Sequence, residues 1–153
     1  MNAAASRLNG GGISSHQLST KSFQLSKLQK LKDCEQVAAV CYREGEKGIE
    51  FLLVETRGCC WTFPKGGAEP GLTHAQAAAL EAFEEAGVHG RIEEVSFTRY
   101  HRGGRSAARS NIGQRAIDAY LCEVLRLEAP QESGRNPTWF SASKAKKRLR
   151  EDR

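Results

Sequence analysis

Residues 64–88 read Pro64-Lys65-Gly66-Gly67-Ala68-Glu69-Pro70-Gly71-Leu72-Thr73-His74-Ala75-Gln76-Ala77-Ala78-Ala79-Leu80-Glu81-Ala82-Phe83-Glu84-Glu85-Ala86-Gly87-Val88. Thr73 with Gln76 three positions on is a capping-box pair. The alanine-rich run to Ala86 has high helix propensity, and Gly87 supplies a left-handed stop. A helix up to Ala86 is therefore expected. On it Glu81, Glu84 and Glu85 stand at i, i+3 and i+4, so their carboxylates share one face. Like charges at that spacing repel by about 0.2 to 0.5 kcal/mol per pair, and the helix contains no lysine or arginine to relieve them. A divalent cation would. Hard cations such as Mg²⁺ prefer carboxylate oxygens, keep several waters and bridge to phosphates. Taken alone, three glutamates equally describe a solvated acidic helix face. The preceding Pro64 to Gly71 adds glycine-rich backbone that can approach a ligand closely and offer a carbonyl to a metal, with Lys65 as a phosphate partner.

Outward from this stretch, Val37 to Tyr42 and Gly48 to Glu55 read as strands separated by the charged turn Arg43 to Lys47. Trp61-Thr62-Phe63 reads as a third strand that Pro64 closes. After the helix, strands are expected around Glu93 to Tyr100 and Arg115 to Leu127. A final helix should begin at Ser141, after Pro137-Thr138-Trp139-Phe140, and run through basic residues. No internal repeat is present. The order β-β-β-α-β-β-α, with helices able to cover both faces of one mixed sheet, predicts an α/β sandwich.

At 153 residues the chain is long enough for one ordinary domain. Its 39% hydrophobic content with 15 glycines is close to the globular average, which excludes a fibrous repeat and wholesale disorder. No apolar run reaches the roughly 18 residues of a membrane span, and no secretory apolar block opens the chain, so a cytoplasmic location is expected. Cys34, Cys41, Cys59, Cys60 and Cys122 form no C-x-x-C pair and are odd in number, which reads as reduced thiols. The net charge of +5 is carried by residues 1–32, where Arg7, Lys21, Lys27, Lys30 and Lys32 meet no acid; residues 33–153 balance 18 basic against 18 acidic side chains. The expected organisation is a flexible basic tail over 1–32 and one domain over 33–153. The tail's lack of acids also fits a transit peptide. Within the neutral domain the acidic focus at 81–85 contrasts with Arg99, Arg102, Arg105, Arg109 and Arg115, which lie in a stretch without one carboxylate before Asp118. That segregation suggests a polyanion handled through metal ions more than a generally basic nucleic-acid face.

Gly66 to Val88 resembles a Nudix box, whose pattern is G-x5-E-x7-R-E-U-x-E-E-x-G-U with U aliphatic. Gly66, Glu81, Ala82, Glu84, Glu85, Gly87 and Val88 fall in register, seven of the nine fixed positions. Leu72 stands where the pattern has its first glutamate, and Leu80 where it has arginine. Replacing a charge pair by two apolar groups is often neutral or stabilising, so the two leucines read as an exchanged apolar contact. On that reading Leu80→Arg would bury an unpaired charge, at about 1 to 3 kcal/mol. The resemblance extends over about residues 36–150 and implies an α/β/α sandwich around a mixed β-sheet. It also implies hydrolysis of a phosphoanhydride by water with Mg²⁺ or Mn²⁺. By the motif, Glu81, Glu84, Glu85 and the Gly66 carbonyl would be metal ligands, the three glutamates the catalytic residues, and Glu81 or Glu85 a candidate base. Asp118 and Glu123 are carboxylates outside the box that could serve instead, or that form strand-end salt bridges.

The stretch His101 to Gln114 is long for a loop, and its arginines could clamp several phosphates. With Lys65, Arg102, Arg105, Arg109 and Arg115 as substrate-binding residues, the chain resembles the family's diadenosine polyphosphate and diphosphoinositol polyphosphate hydrolases. The partner expected is thus a phosphate-rich small molecule. The alternatives are an RNA 5′-pyrophosphohydrolase, with Lys144, Lys146, Lys147, Arg148 and Arg150 as a second RNA contact, and a catalytically silent Nudix-like binding module. Cys59-Cys60 lacks the partners of a soft-metal site. His74 is expected to be exposed in the first helical turn, and Trp139 either stacks on a base or packs as a staple before the last helix.

Overall fold

The structure is a computed structural model that describes residues 35–57, 60–102 and 115–150. The first apolar run forms β1 (Gln36–Gly45) and the second β2 (Gly48–Thr56). They pair antiparallel from Tyr42↔Phe51 to Gly45↔Gly48, and Gly48 turns the chain with φ of 118°, a value that side chains disfavour. β3 (Cys60–Thr62) continues on β2. Then come β4 (Lys65–Gly67), helix α1 (His74–Ala86), β5 (Val88–Ile92), β6 (Thr98–Arg102), β7 (Arg115–Leu127), β8 (Thr138–Ser141) and helix α2 (Ala142–Arg150).

These strands form one mixed sheet in the order β3-β2-β1-β7-β5, with β4 also on β1, β6 on β7 and β8 on β2. Among the described residues the one parallel pairing is central, β1 with β7 from Gln36↔Ile117 to Tyr42↔Glu123. Because β1 is covered on both faces, its residues are buried whichever way they point, which explains an apolar run without alternation. Val37, Ala39 and Cys41 join Leu52, Val54 and Cys122 in the cluster under α1. Ala38 and Val40 join Ile117 and Ala119 on the other face, beside Phe51 and Phe63. α1 is applied to the sheet through Ala75, Ala77, Ala78, Ala82 and Ala86, all buried. α2 packs on β2, β3 and β8 and buries Ala145. The result is the expected α/β/α sandwich. Cys41 and Cys122 are buried free thiols. Among the described residues no helix is long and apolar enough to cross a membrane.

Three elements differ from expectation. The strand expected around Glu93 to Tyr100 falls largely on a connection between two strands, β5 ending at Ile92 and β6 starting at Thr98, because Gly87 delivers the chain straight into β5, whose Val88 lies opposite Leu127 of β7. Residues 93–97 then pass between β5 and β6 with Glu93 N–H donating to Leu121 C=O and Phe97 N–H to Ala119 C=O. Val95 and Phe97 are exposed on this connection. β4 is made of glycine-rich sequence with no strand propensity; it exists because Val37↔Gly66 and Gln36↔Gly67 pair it to β1. Thr138 to Ser141, expected only as the lead into the last helix, is an edge strand on β2.

Candidate active site

α1 is held at both ends. Thr73 Oγ1 accepts from Gln76 N–H at 3.1 Å, and Gln76 Oε1 accepts from Thr73 N–H at 3.0 Å. At the other end Gly87, with φ of 67°, donates its N–H to the carbonyls of Ala82 and Phe83. The rotation of the helix is then set by its buried alanines, and this aims Glu81 and Glu85 toward β4. β4 lies against them because Gly66 has no side chain: a Cβ there would collide with the carboxylate of Glu81. Next to it, Lys65 N–H donates to Glu85 Oε2 at 3.3 Å. The juxtaposition of loop and helix implied by the box is therefore a direct contact of Gly66 with Glu81 and of Lys65 with Glu85.

The electrostatics of this corner are unfavourable to ionised carboxylates. Burial, then the charges of Glu85 and Glu84, push the Glu81 carboxyl from 4.5 up to about 7. Glu85 is 3% exposed, and burial raises its carboxyl against the opposing pull of Arg135 and the Lys65 N–H. Arg135 was not anticipated. Its Nη2 lies 3.0 Å from Glu85 Oε1 and 2.7 Å from Glu132 Oε2, so part of the relief first assigned to a metal comes from a residue distant in sequence. The only signal for it was the absence of any cation within the acidic helix.

Among the described residues no group of three or more His, Cys, Asp or Glu side chains could hold a metal ion by itself. The donors nevertheless suit Mg²⁺ or Mn²⁺, which bind through one or two carboxylates and complete their shell with waters and phosphate oxygens. Glu81 and Glu85 are hard oxygen donors, and the absence of a side chain at Gly66 lets the Glu81 carboxylate lie directly against the backbone of β4. A divalent charge at this corner would also offset the repulsion that raises Glu81.

Other anticipated residues fall elsewhere. Arg102 and Arg115 are backbone register partners at the ends of β6 and β7; Arg105 and Arg109, like residues 1–34, lie outside the described residues. Asp118 and Glu123 are salt-bridge partners, to Arg99 at 2.6 Å and Arg91 at 2.8 Å. Arg99 holds the Asp118 carboxyl below its usual range. His74 is half-buried, 3.2 Å from Glu35 and 3.7 Å from Asp118. Trp139 carries the Arg43 guanidinium over its ring at 4.0 Å. Leu72 is 40% exposed and Leu80 only partly buried, so they are not a buried apolar replacement for a charge pair.

Residues 34–153 match the family described as NUDIX domain. The chain belongs to the Nudix family. Among solved structures, this Nudix domain is similar to the Ap4A hydrolase of C. elegans, at 26% identity over 76% of this chain and 86% of that one, with a TM-score of 0.60. A NUDIX hydrolase from Nitrosomonas europaea aligns at 25% identity over 78% and 79% of the two chains, TM-score 0.60. The NUDIX domain of Shewanella oneidensis NrtR, complexed with ADP ribose, shares the fold at 16% identity over 74% and 76%, TM-score 0.58. Among curated proteins no sequence matches the chain.

Proposed function

We propose that this Nudix protein is a metal-dependent pyrophosphohydrolase that cleaves phosphoanhydride bonds in a phosphate-rich substrate such as a dinucleoside polyphosphate or diphosphoinositol polyphosphate. The observation that carries the reading is the corner where Gly66 meets Glu81 and the Lys65 N–H meets Glu85, with carboxylates that repel one another. Glu81, Glu84, Glu85 and the Gly66 carbonyl would hold Mg²⁺ or Mn²⁺. A bound ion of this kind neutralises phosphate charge and acidifies water. The chain's own groups supply position and proton transfer. A water oxygen bonds to phosphorus as the bridging P–O bond breaks, and its proton needs an acceptor. Glu81, which makes neither of the contacts that occupy Glu85, is the better base of the two. Lys65 and the arginines at 102, 105, 109 and 115 would bind the remaining phosphates. The likeness to the C. elegans Ap4A hydrolase supports a substrate of that kind.

The test is a panel of dinucleoside polyphosphates, diphosphoinositol phosphates, nucleotide sugars, ADP-ribose and 5′-triphosphate RNA with Mg²⁺ or Mn²⁺. Turnover lost in Glu84→Gln supports the reading, and no turnover on any member overturns it in favour of a binding module. A second reading, RNA 5′-pyrophosphohydrolase, is favoured by one observation. A cavity of about 510 Å³ beside α2 is lined by Trp139, Phe140, Ser141, Lys144, Lys147 and Arg148 with one acid, Glu50, a mainly aromatic and basic surface suited to a nucleic-acid strand. Lys144→Glu with Lys147→Glu should then impair RNA cleavage and spare the small substrates.

A further inference from the structure

The connection between β7 and β8 brings one cation to the acidic helix, and its backbone is secured on two sides. Glu132 N–H donates to the Glu84 carbonyl at 3.0 Å, which ties the segment to the C-terminal turn of α1. Three residues on, the Arg135 carbonyl accepts from Glu55 N–H at 2.6 Å, and Asn136 Nδ2 donates to Glu55 Oε2 at 2.6 Å, which ties it to β2. Between these anchors Gly134 and Asn136 take positive φ values of 74° and 44°, conformations that glycine and asparagine tolerate best. The guanidinium is fixed in turn. Its Nε donates to Glu132 Oε2 at 2.7 Å, and its Nη2 lies between that oxygen, 2.7 Å away, and Glu85 Oε1, 3.0 Å away. Glu85 is thereby held through both oxygens, Oε1 by Arg135 and Oε2 by the Lys65 N–H.

Position 80, where the box pattern carries its arginine, is leucine here, and α1 contains no lysine or arginine. We propose that Arg135 is the positioning residue of this Nudix helix, supplying from the β7–β8 connection the cation that position 80 lacks and orienting Glu85 for its role toward the metal. The proposal rests on the hydrolase reading above. Arg135 acts through Glu85 and need not touch substrate. A carboxylate with one oxygen tethered on each side has few rotamers left, so losing one tether should scatter its donor atoms. Partners of metal-binding groups typically contribute about 10- to 100-fold to metal affinity or activity.

The experiment measures Mn²⁺ binding by electron paramagnetic resonance, kinetics on the best substrate of the panel, and thermal melting, for the full chain and for Arg135→Ala and Arg135→Lys. Expected for Arg135→Ala are an Mn²⁺ dissociation constant and a kcat each worse by about 10- to 100-fold, with KM changed little. Arg135→Lys, which keeps the charge but not the fork of donors, should recover part of both and melt close to the parent chain. Unchanged Mn²⁺ affinity and kcat in a folded Arg135→Ala would overturn the proposal. So would tighter Mn²⁺ binding, because Arg135 would then compete with the metal for Glu85. If Arg135→Ala does not fold, the lysine variant decides alone: a kcat and Mn²⁺ affinity equal to the parent's overturn the proposal, since lysine cannot reproduce the guanidinium's joint contacts to Glu132 and Glu85, and a partial loss of both supports it. A parent chain that binds no Mn²⁺ and turns over no substrate would instead sink the hydrolase reading, an outcome separate from any effect of the arginine.

Discussion

Glu81→Gln should stabilise the metal-free protein at pH 8 and leave it nearly unchanged at pH 4. The Glu81 carboxyl moves from 4.5 to about 7 on folding, because it is partly buried and faces Glu85 and Glu84. Its folded value is raised, so the folded state binds the proton more tightly than the unfolded chain does. The contribution is fully present below about pH 4.5 and is lost as the pH rises through about 7. At about 1.4 kcal/mol per pH unit the whole interval corresponds to roughly 3 kcal/mol. Glu81 is only half-buried, and solvent screening leaves about 1 to 2 kcal/mol of that. Glutamine is neutral at every pH and removes the penalty. In EDTA at pH 8 the variant should therefore melt higher by roughly 3 to 8 °C for a domain of this size. The assay is thermal melting of both proteins across pH 4 to 8, repeated with saturating Mg²⁺. The ion should raise the melting temperature of the parent chain at pH 8 and do little for the variant. Parallel pH profiles for the two proteins would refute the argument, since the charge at Glu81 would then carry no folding cost.

Gly66→Ala should cost under about 1 kcal/mol, because the added Cβ meets only the movable end of Glu81, yet lower turnover and Mn²⁺ affinity by about 10-fold or more; denaturation and kinetics on the same preparation separate the two. Gly87→Ala should destabilise by more than about 2 kcal/mol in urea unfolding, since φ of 67° disfavours a side chain and a Cβ would run into the Glu128 carbonyl. Leu80→Arg should change stability by only about 0.5 kcal/mol or less, because position 80 is partly exposed and precedes Glu84 by one turn; a loss of several kcal/mol in urea unfolding would restore the idea of a buried apolar contact. Alanine at Arg102, Arg105 and Arg109 together should raise KM for long polyphosphates and leave ADP-ribose little affected, with the long substrates also the more salt-sensitive. Equal losses across substrates would show that the loop does not select for phosphate number.

What residues 64–88 determined by themselves is considerable. The Thr73 and Gln76 cap, the alanine run and Gly87 specify α1 through contacts no more than a few residues apart. The period of the helix then forces Glu81, Glu84 and Glu85 onto one face whatever the rest of the chain does. The apolar runs of β1, β2 and β7 were equally legible, since both-sided burial demands unbroken hydrophobic sequence. Tertiary structure decided the remainder. Lys65-Gly66-Gly67 has no local reason to be a strand and becomes one when Gln36 to Ala38 pairs with it. Thr138 to Ser141 extends only because β2 offers a free edge. Leu72 and Leu80 suggested a replaced charge pair, whereas the cation beside Glu85 comes from Arg135, fifty residues further along the chain. No periodicity or motif spacing encodes that contact. It depends on where the β7–β8 connection is pinned by Glu84 and Glu55, and hydrogen bonds between distant segments acquire their geometry only once the sheet has assembled.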